Sequence, residues 1–218
     1  MFIGHFALGL AAKKAVPEAP LPALLAAPEL LDLVWPIFLL TGAESVRIAP
    51  GNTAFTPLEF VSYPWSHSLA MAAVWGALFG GTIWLASRRF AVGAALFVLA
   101  VSHWVLDWVA HRPDMPLSPW GAAKFGLGLW NFRWATLAVE GAMFAAGVFL
   151  YTRATRSRDR TGRLAFWALV IFLLASYLGA AFGPPPPDAR TLAYGSLALW
   201  LLPLWAWWVE RHRVSVDR

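Results

Sequence analysis

The chain has 218 residues, of which 59% are hydrophobic and 13% are charged, and its net charge is +5. Soluble globular chains carry about 25% charged residues, so this composition excludes a soluble domain and a disordered chain. The absence of cysteine excludes a disulfide-stabilised secreted protein and leaves only histidine and carboxylate side chains as metal ligands. Because lipid-embedded backbone must be hydrogen-bonded internally, the composition predicts an all-α bundle of transmembrane helices.

Six apolar stretches approach the roughly 20 residues that a bilayer crossing requires. They cover residues 21–41, 66–87, 90–111, 132–152, 163–182 and 192–209. Residues 1–12 are also apolar but too short to span fully, and the lysines that follow them argue against a signal peptide. We therefore expect a polytopic bundle of about 6–7 helices, with residues 1–218 forming a single integral membrane domain.

Proline predicts where this bundle bends. Pro28 and Pro36 fall inside the stretch 21–41, and residues 183–187 form a Gly-Pro-Pro-Pro-Pro run before the last stretch. A polyproline run is stiff and extended, so the last two helices should be joined by a rigid connector. Ser66, at the start of the stretch 66–87, is interpreted as a helix N-cap.

The basic residues predict the orientation of the chain. Of the 17 lysines and arginines, twelve fall on one side of the proposed bundle, including the cluster within residues 153–163, and five fall on the other. The positive-inside rule places the richer side in the cytoplasm. The N-terminus is then outside and the C-terminus inside, and the positive net charge is explained without a nucleic-acid partner.

Few ionisable residues lie inside the apolar stretches. An ionisable side chain is costly in hydrocarbon, so each one is interpreted first as part of a functional site. The candidates are His5, Glu29, Asp32, His67, His103, Asp107, His111 and Glu140. His103, Asp107 and His111 follow one another at intervals of four, which places them on one face of a helix. This stripe is the clearest sign of a site.

Depth in the membrane indicates that residues from several stretches share that site. The depth of each residue is estimated by counting from the outer end of its stretch at about 1.5 Å per residue. This estimate places six residues in the outer half of the bilayer: His5, Asp32, His67, His103, Asp107 and His111. We expect His67, His103, Asp107, His5 and His111 to be metal ligands, with Asp32 or Glu29 as a general base. The ion expected from this donor set is zinc or another divalent metal.

Other interpretations remain open. The same side chains can join helices by hydrogen bonds, relay protons or other ions, or hold a haem through two histidines. Glu140 lies on a separate stretch and could be a ligand, a supporting group or an interhelical contact.

Four short motifs, in order, carry a resemblance to a known family. They are Gly4-His5, Pro28-Glu29-Leu30-Leu31-Asp32, Trp65-Ser66-His67-Ser68 and Ser102-His103-Trp104-Val105-Leu106-Asp107. Together they resemble the bacterial membrane-bound metal-dependent hydrolases, which are small inner-membrane proteins of several helices. The chain departs from that family's pattern in having Gly4 where threonine is preferred. Its acidic pair, Glu29 and Asp32, is also spaced by three positions instead of two.

The resemblance implies a hydrolase that uses His5, Asp32, His67, His103 and Asp107 as its polar set. From the position of these residues we expect a site in the outer half of the inner membrane, acting on a lipid or another amphiphile. The alternative is an ion- or proton-translocating protein or a purely structural membrane protein.

Overall fold

The structure is a computed structural model and describes residues 1–216. Within these residues, five helical segments are long and apolar enough to cross a membrane. They are Leu69–Ser87, Phe90–Ala110, Arg133–Ala154, Arg160–Phe182 and Ala189–Arg211. The predicted all-α transmembrane bundle is thereby confirmed.

The helices follow one another along the chain, with longer connections after α3 and after α6 and short ones elsewhere. They are α1 (Ile3–Ala15), α2 (Leu21–Ala26), α3 (Leu30–Thr41), α4 (Pro64–His67), α5 (Leu69–Ser87), α6 (Phe90–Ala110), α7 (Arg133–Ala154), α8 (Arg160–Phe182), α9 (Ala189–Ser196) and α10 (Leu201–Arg211). A 3₁₀ turn, Leu197–Trp200, joins α9 to α10. The short helix α1 covers most of the apolar residues 1–12, which the sequence predicts to be too short to span fully.

Three small antiparallel two-stranded sheets lie at the ends of the bundle. The strands are β1 (Ser45–Ile48), β2 (Leu58–Ser62), β3 (Met115–Pro116), β4 (Lys124–Phe125), β5 (Thr155–Ser157) and β6 (Arg213–Ser215). The pairs β1–β2 and β3–β4 lie at the end where α6 terminates, whereas β5–β6 lies where α7 terminates and α8 begins. We call the first of these the site end of the bundle.

Two predictions of local structure are wrong. The stretch 21–41 is not one helix, because α2 ends at Ala26 and α3 begins at Leu30. Pro28 lies in this break, where it lacks the N–H that a continuous helix would need. Ser66 is not an N-cap: it lies inside α4, and the side chain of Ser68 caps α5 by accepting a hydrogen bond from the backbone N–H of Met71 at 3.3 Å.

Small residues let the long helices approach one another closely. The helix α1 packs along α7 and α5 packs along α6. A Cβ at Gly93 would lie 2.6 Å from Trp84 Cβ and 2.7 Å from the carbonyl oxygen of Gly80. Without a strong hydrophobic driving force in lipid, such close backbone contact is a main source of helix association.

Candidate functional site

The stripe on α6 forms the centre of the candidate site. His103 and Asp107 are buried on the inner face of α6, and His111 is buried at the residue that ends the helix. Their spacing of four residues places them in line along the helix. The stripe that the sequence predicts therefore lies in the interior of the bundle, near its site end.

Asp107 brings three histidines together. Its Oδ1 atom lies 3.1 Å from His5 Nε2, and its Oδ2 atom lies 3.2 Å from His103 Nε2 and 3.6 Å from His111 Nε2. The α-amino group of Met1 also contacts Oδ1. The imidazole of His5 stacks on that of His103, with ring centroids 3.9 Å apart. The helix α1 thus contributes its only histidine to the α6 stripe.

A second carboxylate and a second histidine lie on the other side of His103. His67 Nε2 is 3.2 Å from Asp32 Oδ1, and the rings of His67 and His103 are 5.1 Å apart. Two overlapping groups result, each with its ligand atoms within 4.8 Å of one another: one of His5, His103 and Asp107, the other of Asp32, His67 and His103. Because His103 belongs to both, the two groups are contiguous.

Hydrogen bonds at Nδ1 fix which nitrogen of each imidazole is protonated. His103 Nδ1 is 2.6 Å from the carbonyl oxygen of Pro28, and a carbonyl oxygen can only accept. His67 Nδ1 is 2.7 Å from Ser66 Oγ, which in turn donates to a carboxylate oxygen of Glu44 at 2.6 Å. Ser66 must therefore accept from His67. In both histidines Nδ1 carries the proton, and Nε2 of the neutral ring presents a lone pair.

His111 is oriented in the same way. Its Nδ1 atom lies 2.9 Å from Asp114 Oδ1, which also accepts a hydrogen bond from Tyr63 Oη at 2.7 Å. Burial and the neighbouring Asp114 carboxylate raise the pKa of Tyr63 well above its usual value, so the phenol keeps the proton that it donates. The Nε2 atom of His111 is left to face Asp107.

These orientations place acceptor against acceptor at the centre of the site. A neutral Nε2 and a carboxylate oxygen about 3.2 Å apart, as at His67–Asp32 and His103–Asp107, repel each other unless a cation lies close by. The α-amino group of Met1 supplies one cation beside Asp107; at the Nε2 atoms the cation is either a proton on the imidazole or a metal ion between the groups. Neutral imidazole and carboxylate are the donors that zinc and related divalent ions take, so the residues present fit such an ion.

The two glutamates differ in their surroundings. Glu29 lies in the break between α2 and α3, and within residues 1–216 neither of its buried carboxylate oxygens has a hydrogen-bond partner. Glu140 Oε2, by contrast, accepts hydrogen bonds from the backbone N–H groups of Phe2 at 2.8 Å and Gly4 at 3.2 Å. It therefore caps the beginning of α1 and lies outside both groups of potential ligands. Among residues 1–216, Glu140 Oε1 also lacks a hydrogen-bond partner, so the two residues differ in that both oxygens of Glu29 are unpartnered and only one oxygen of Glu140 is.

A cavity of about 590 Å³ opens onto the site. Its wall includes four polar residues of the site, whereas most of the remaining lining is apolar: Asp32, His67, Asp107 and His111. A volume of this size is typical of small-molecule sites. The arrangement can therefore bring an apolar molecule with a polar group against the histidines and carboxylates.

Several supporting groups cannot be recognised from the sequence. Glu44 contacts Ser66 from a distant loop, and the Pro28 carbonyl is a backbone atom, so neither has a local sequence signal. Asp114 has a weak sequence signal, since it follows His111 by three residues and can reach it at the end of the helix.

The comparisons with known proteins agree with the membrane fold. The family model described as YdjM inner membrane protein matches residues 1–183. The chain belongs to this family, and it is a multi-pass protein of the inner membrane. No curated protein and no solved structure matches it.

Proposed function

We propose that this member of the YdjM inner membrane protein family is a metal-dependent hydrolase. The observation that carries the proposal is the pair of contacts in which a histidine Nε2 faces a carboxylate oxygen, His67–Asp32 and His103–Asp107, while Nδ1 of the same ring donates to a hydrogen-bond acceptor. The hydrogen bonds at Nδ1 hold both imidazoles in the orientation that metal-binding histidines adopt, with the other ring nitrogen donating to a fixed acceptor. A divalent ion, zinc being the best fit to these donors, would relieve the repulsion.

The proposed ligands are His67, His103 and Asp107, with His5, Asp32 and His111 as supporting groups or alternative ligands. A zinc ion held by three of these groups would supply an activated water and polarise a carbonyl or phosphoryl oxygen. The chain itself orients the imidazoles through Pro28 and Ser66.

Glu29 is the proposed general base. Asp32 is the alternative general base if Asp32 does not bind the metal. Glu29 is buried without a hydrogen-bond partner among residues 1–216, so its carboxylate is free to take a proton from an attacking water. Asp32 is the less buried of the two and lines the cavity. A positioned base of this kind contributes about 10²–10⁴-fold in rate.

The proposed substrate is a lipid or another amphiphile, because the cavity is largely apolar and reaches a polar floor. The distribution of basic residues supports an orientation with the N-terminus outside and the C-terminus inside. The site end of the bundle, and with it the active site of a single membrane domain, would then lie in the outer half of the membrane.

Elemental analysis of protein purified in detergent tests the proposal. We expect at least about one zinc ion per chain in the wild type. The variant His103→Ala should lose at least about tenfold in zinc affinity. His212→Ala is the matched control, because His212 lies at the other end of the bundle, 2.7 Å from Asp159. Wild-type protein that binds neither zinc, manganese nor iron would refute the metal site.

Activity is tested with a panel of chromogenic esters and phosphodiesters carrying chains of different length. Glu29→Gln should retain its metal and lose about 10²-fold or more in turnover. Because imidazoles ligate only when neutral, metal should also be released on acidification. Full turnover in Glu29→Gln would remove this residue from the mechanism.

Proton translocation is the second candidate, since a proton on the imidazole relieves the same repulsion between His103 and Asp107. It predicts metal-free protein whose proton flux in proteoliposomes depends on Asp107. Such a result would replace the hydrolase proposal.

A further inference from the structure

The helices α8 and α9 diverge towards the site end of the bundle. The first half of α8 packs against α10, where Trp205 Nε1 donates to the carbonyl oxygen of Ala165 at 3.0 Å. The helix α9 instead packs against α3, and Trp200, just beyond α9, donates from Nε1 to the carbonyl oxygen of Leu33 at 3.0 Å. The cavity described above lies in the cleft between the second half of α8 and α9.

One face of α8 forms a wall of this cleft. Phe172, Ser176 and Ala180 line it at intervals of four residues, opposite Gly195 and Leu199 from the last helical segment. Phe172 is 47% exposed, and Ala180 and Gly195 are also exposed. Both walls belong to segments that are apolar enough to span a membrane, and the cavity between them extends to Asp107 and His111.

The charge of the cleft limits the head group that it accepts. Within residues 1–216, the lining of the cavity includes two carboxylates, Asp32 and Asp107, and Met1, whose α-amino group is paired with Asp107, but no lysine or arginine. The two carboxylates would balance one divalent ion, and the basic side chains that line pockets for polyanionic head groups are absent from this lining. The lining therefore disfavours a head group with excess negative charge.

We infer that the substrate is a neutral or zwitterionic amphiphile that enters sideways from the bilayer. Its apolar chain lies between α8 and α9, and its hydrolysable bond reaches His67, Asp107 and His111. This inference rests on the proposed hydrolase function of the floor of the cleft. It adds the route of entry and the class of head group. Photo-crosslinking tests this inference, whereas zinc content tests the proposed hydrolase function.

Photo-crosslinking in lipid nanodiscs tests the route. The probe is a phosphatidylethanolamine with a diazirine in its acyl chain, compared with a phosphatidylglycerol carrying the same chain. The variant Gly195→Trp fills the cleft, because a Cβ at Gly195 meets no atom within 4 Å. Gly179→Trp is the matched control: its Cβ also meets no atom, and Gly179 lies on α8 but does not line the cavity.

We expect the zwitterionic probe to label the peptides that contain residues 172–180 and 195–202. Gly195→Trp should reduce this labelling about tenfold, Gly179→Trp should leave it unchanged, and the anionic probe should label less. Equal labelling in the two variants would overturn the route, and preferred labelling by the anionic probe would overturn the head-group class. Zinc content measured on the same samples reports separately on the hydrolase proposal, since Gly195→Trp leaves every proposed ligand in place.

Discussion

The Nδ1 atom of His103 lies 2.6 Å from the carbonyl oxygen of Pro28, and this contact joins the break between α2 and α3 to the centre of the site. Irregular backbone is tolerated inside a membrane protein where it is buried or lines a cavity. Here the break has a specific consequence, because it supplies the acceptor that keeps the Nε2 lone pair of His103 directed at Asp107.

Replacing Pro28 tests whether the break positions His103. In Pro28→Ala the restored N–H removes the main obstacle to a continuous helix from α2 to α3, which would draw the carbonyl oxygen away from His103. Zinc affinity should fall about 10–100-fold, as expected for the loss of a supporting acceptor. Pro36→Ala is the control, since Pro36 lies inside α3, which continues through it. Isothermal titration with zinc measures the affinity of both variants. Equal zinc affinities would show that the break between α2 and α3 does not position His103.

The two serines around His67 should have separable effects. Ser66→Ala removes the acceptor for His67 Nδ1 and one donor to Glu44, so zinc affinity should fall about 10–100-fold. Ser68→Ala removes the N-cap of α5 and should cost about 0.5–2 kcal/mol of stability, with zinc affinity unchanged. Zinc titration and denaturant unfolding of the metal-free variants distinguish the two. A zinc affinity in Ser66→Ala equal to that in Ser68→Ala would contradict the proposed orientation of His67.

Asp32→Asn separates a metal site from a structural ion pair. The side-chain amide can donate to the unprotonated His67 Nε2, which Asp32 faces at 3.2 Å. The metal-free variant should therefore be more stable than the metal-free wild type, by about 0.5–1.5 kcal/mol for one hydrogen bond gained. Zinc affinity should fall at the same time. Denaturant unfolding with and without zinc checks both signs. A metal-free variant less stable than the wild type would indicate that His67 is an imidazolium paired with Asp32.

Helix geometry explains why part of the site is predictable. The interval of four between His103, Asp107 and His111 defines one helix face, and the depth of His67 in its own stretch places it at the same level. Contacts that join distant segments have no such rule: Glu44 reaches Ser66 from a loop 22 residues away. Pro28 predicts a bend but not the complete break between α2 and α3, because proline is tolerated in transmembrane helices when neighbouring groups satisfy the freed backbone.

The cleft between α8 and α9 is likewise absent from the sequence pattern. Residues 171–182 of α8 are almost uniformly apolar, as expected for lipid-facing and cavity-facing residues alike, so hydropathy cannot distinguish Phe172 in the cleft from Ile171 beside it. Only the packing of α9 against α3 separates the two walls.

Lowering the pH should destabilise the first turn of α8. Asp159 accepts hydrogen bonds from His212 at 2.7 Å and from the backbone N–H of Gly162 at 2.7 Å, and both lower its pKa below the usual 3.8. A depressed carboxyl pKa contributes stability above the pKa of the unfolded chain and loses it as pH falls through the folded value. Hydrogen exchange at Gly162, corrected for its intrinsic rate, should show more frequent opening at about pH 3 than at about pH 5. Asp159→Asn keeps a good N-cap without a titrating carboxyl, so its opening should not change with pH. An identical pH response in the two proteins would refute the assignment.

Close packing of α5 against α6 should make Gly93 irreplaceable. A Cβ at this position would collide with Trp84 Cβ and the Gly80 carbonyl oxygen, and the second of these is backbone that cannot turn away. Gly93→Ala should therefore destabilise the protein by about 1–3 kcal/mol, the usual cost of overpacking. Gly141→Ala is the matched control within α7, because its Cβ meets no atom within 4 Å, and its higher helix propensity should stabilise by up to about 1 kcal/mol. Unfolding in detergent with increasing denaturant measures both changes. Equal stability of the two variants would show that α5 and α6 separate easily at this contact.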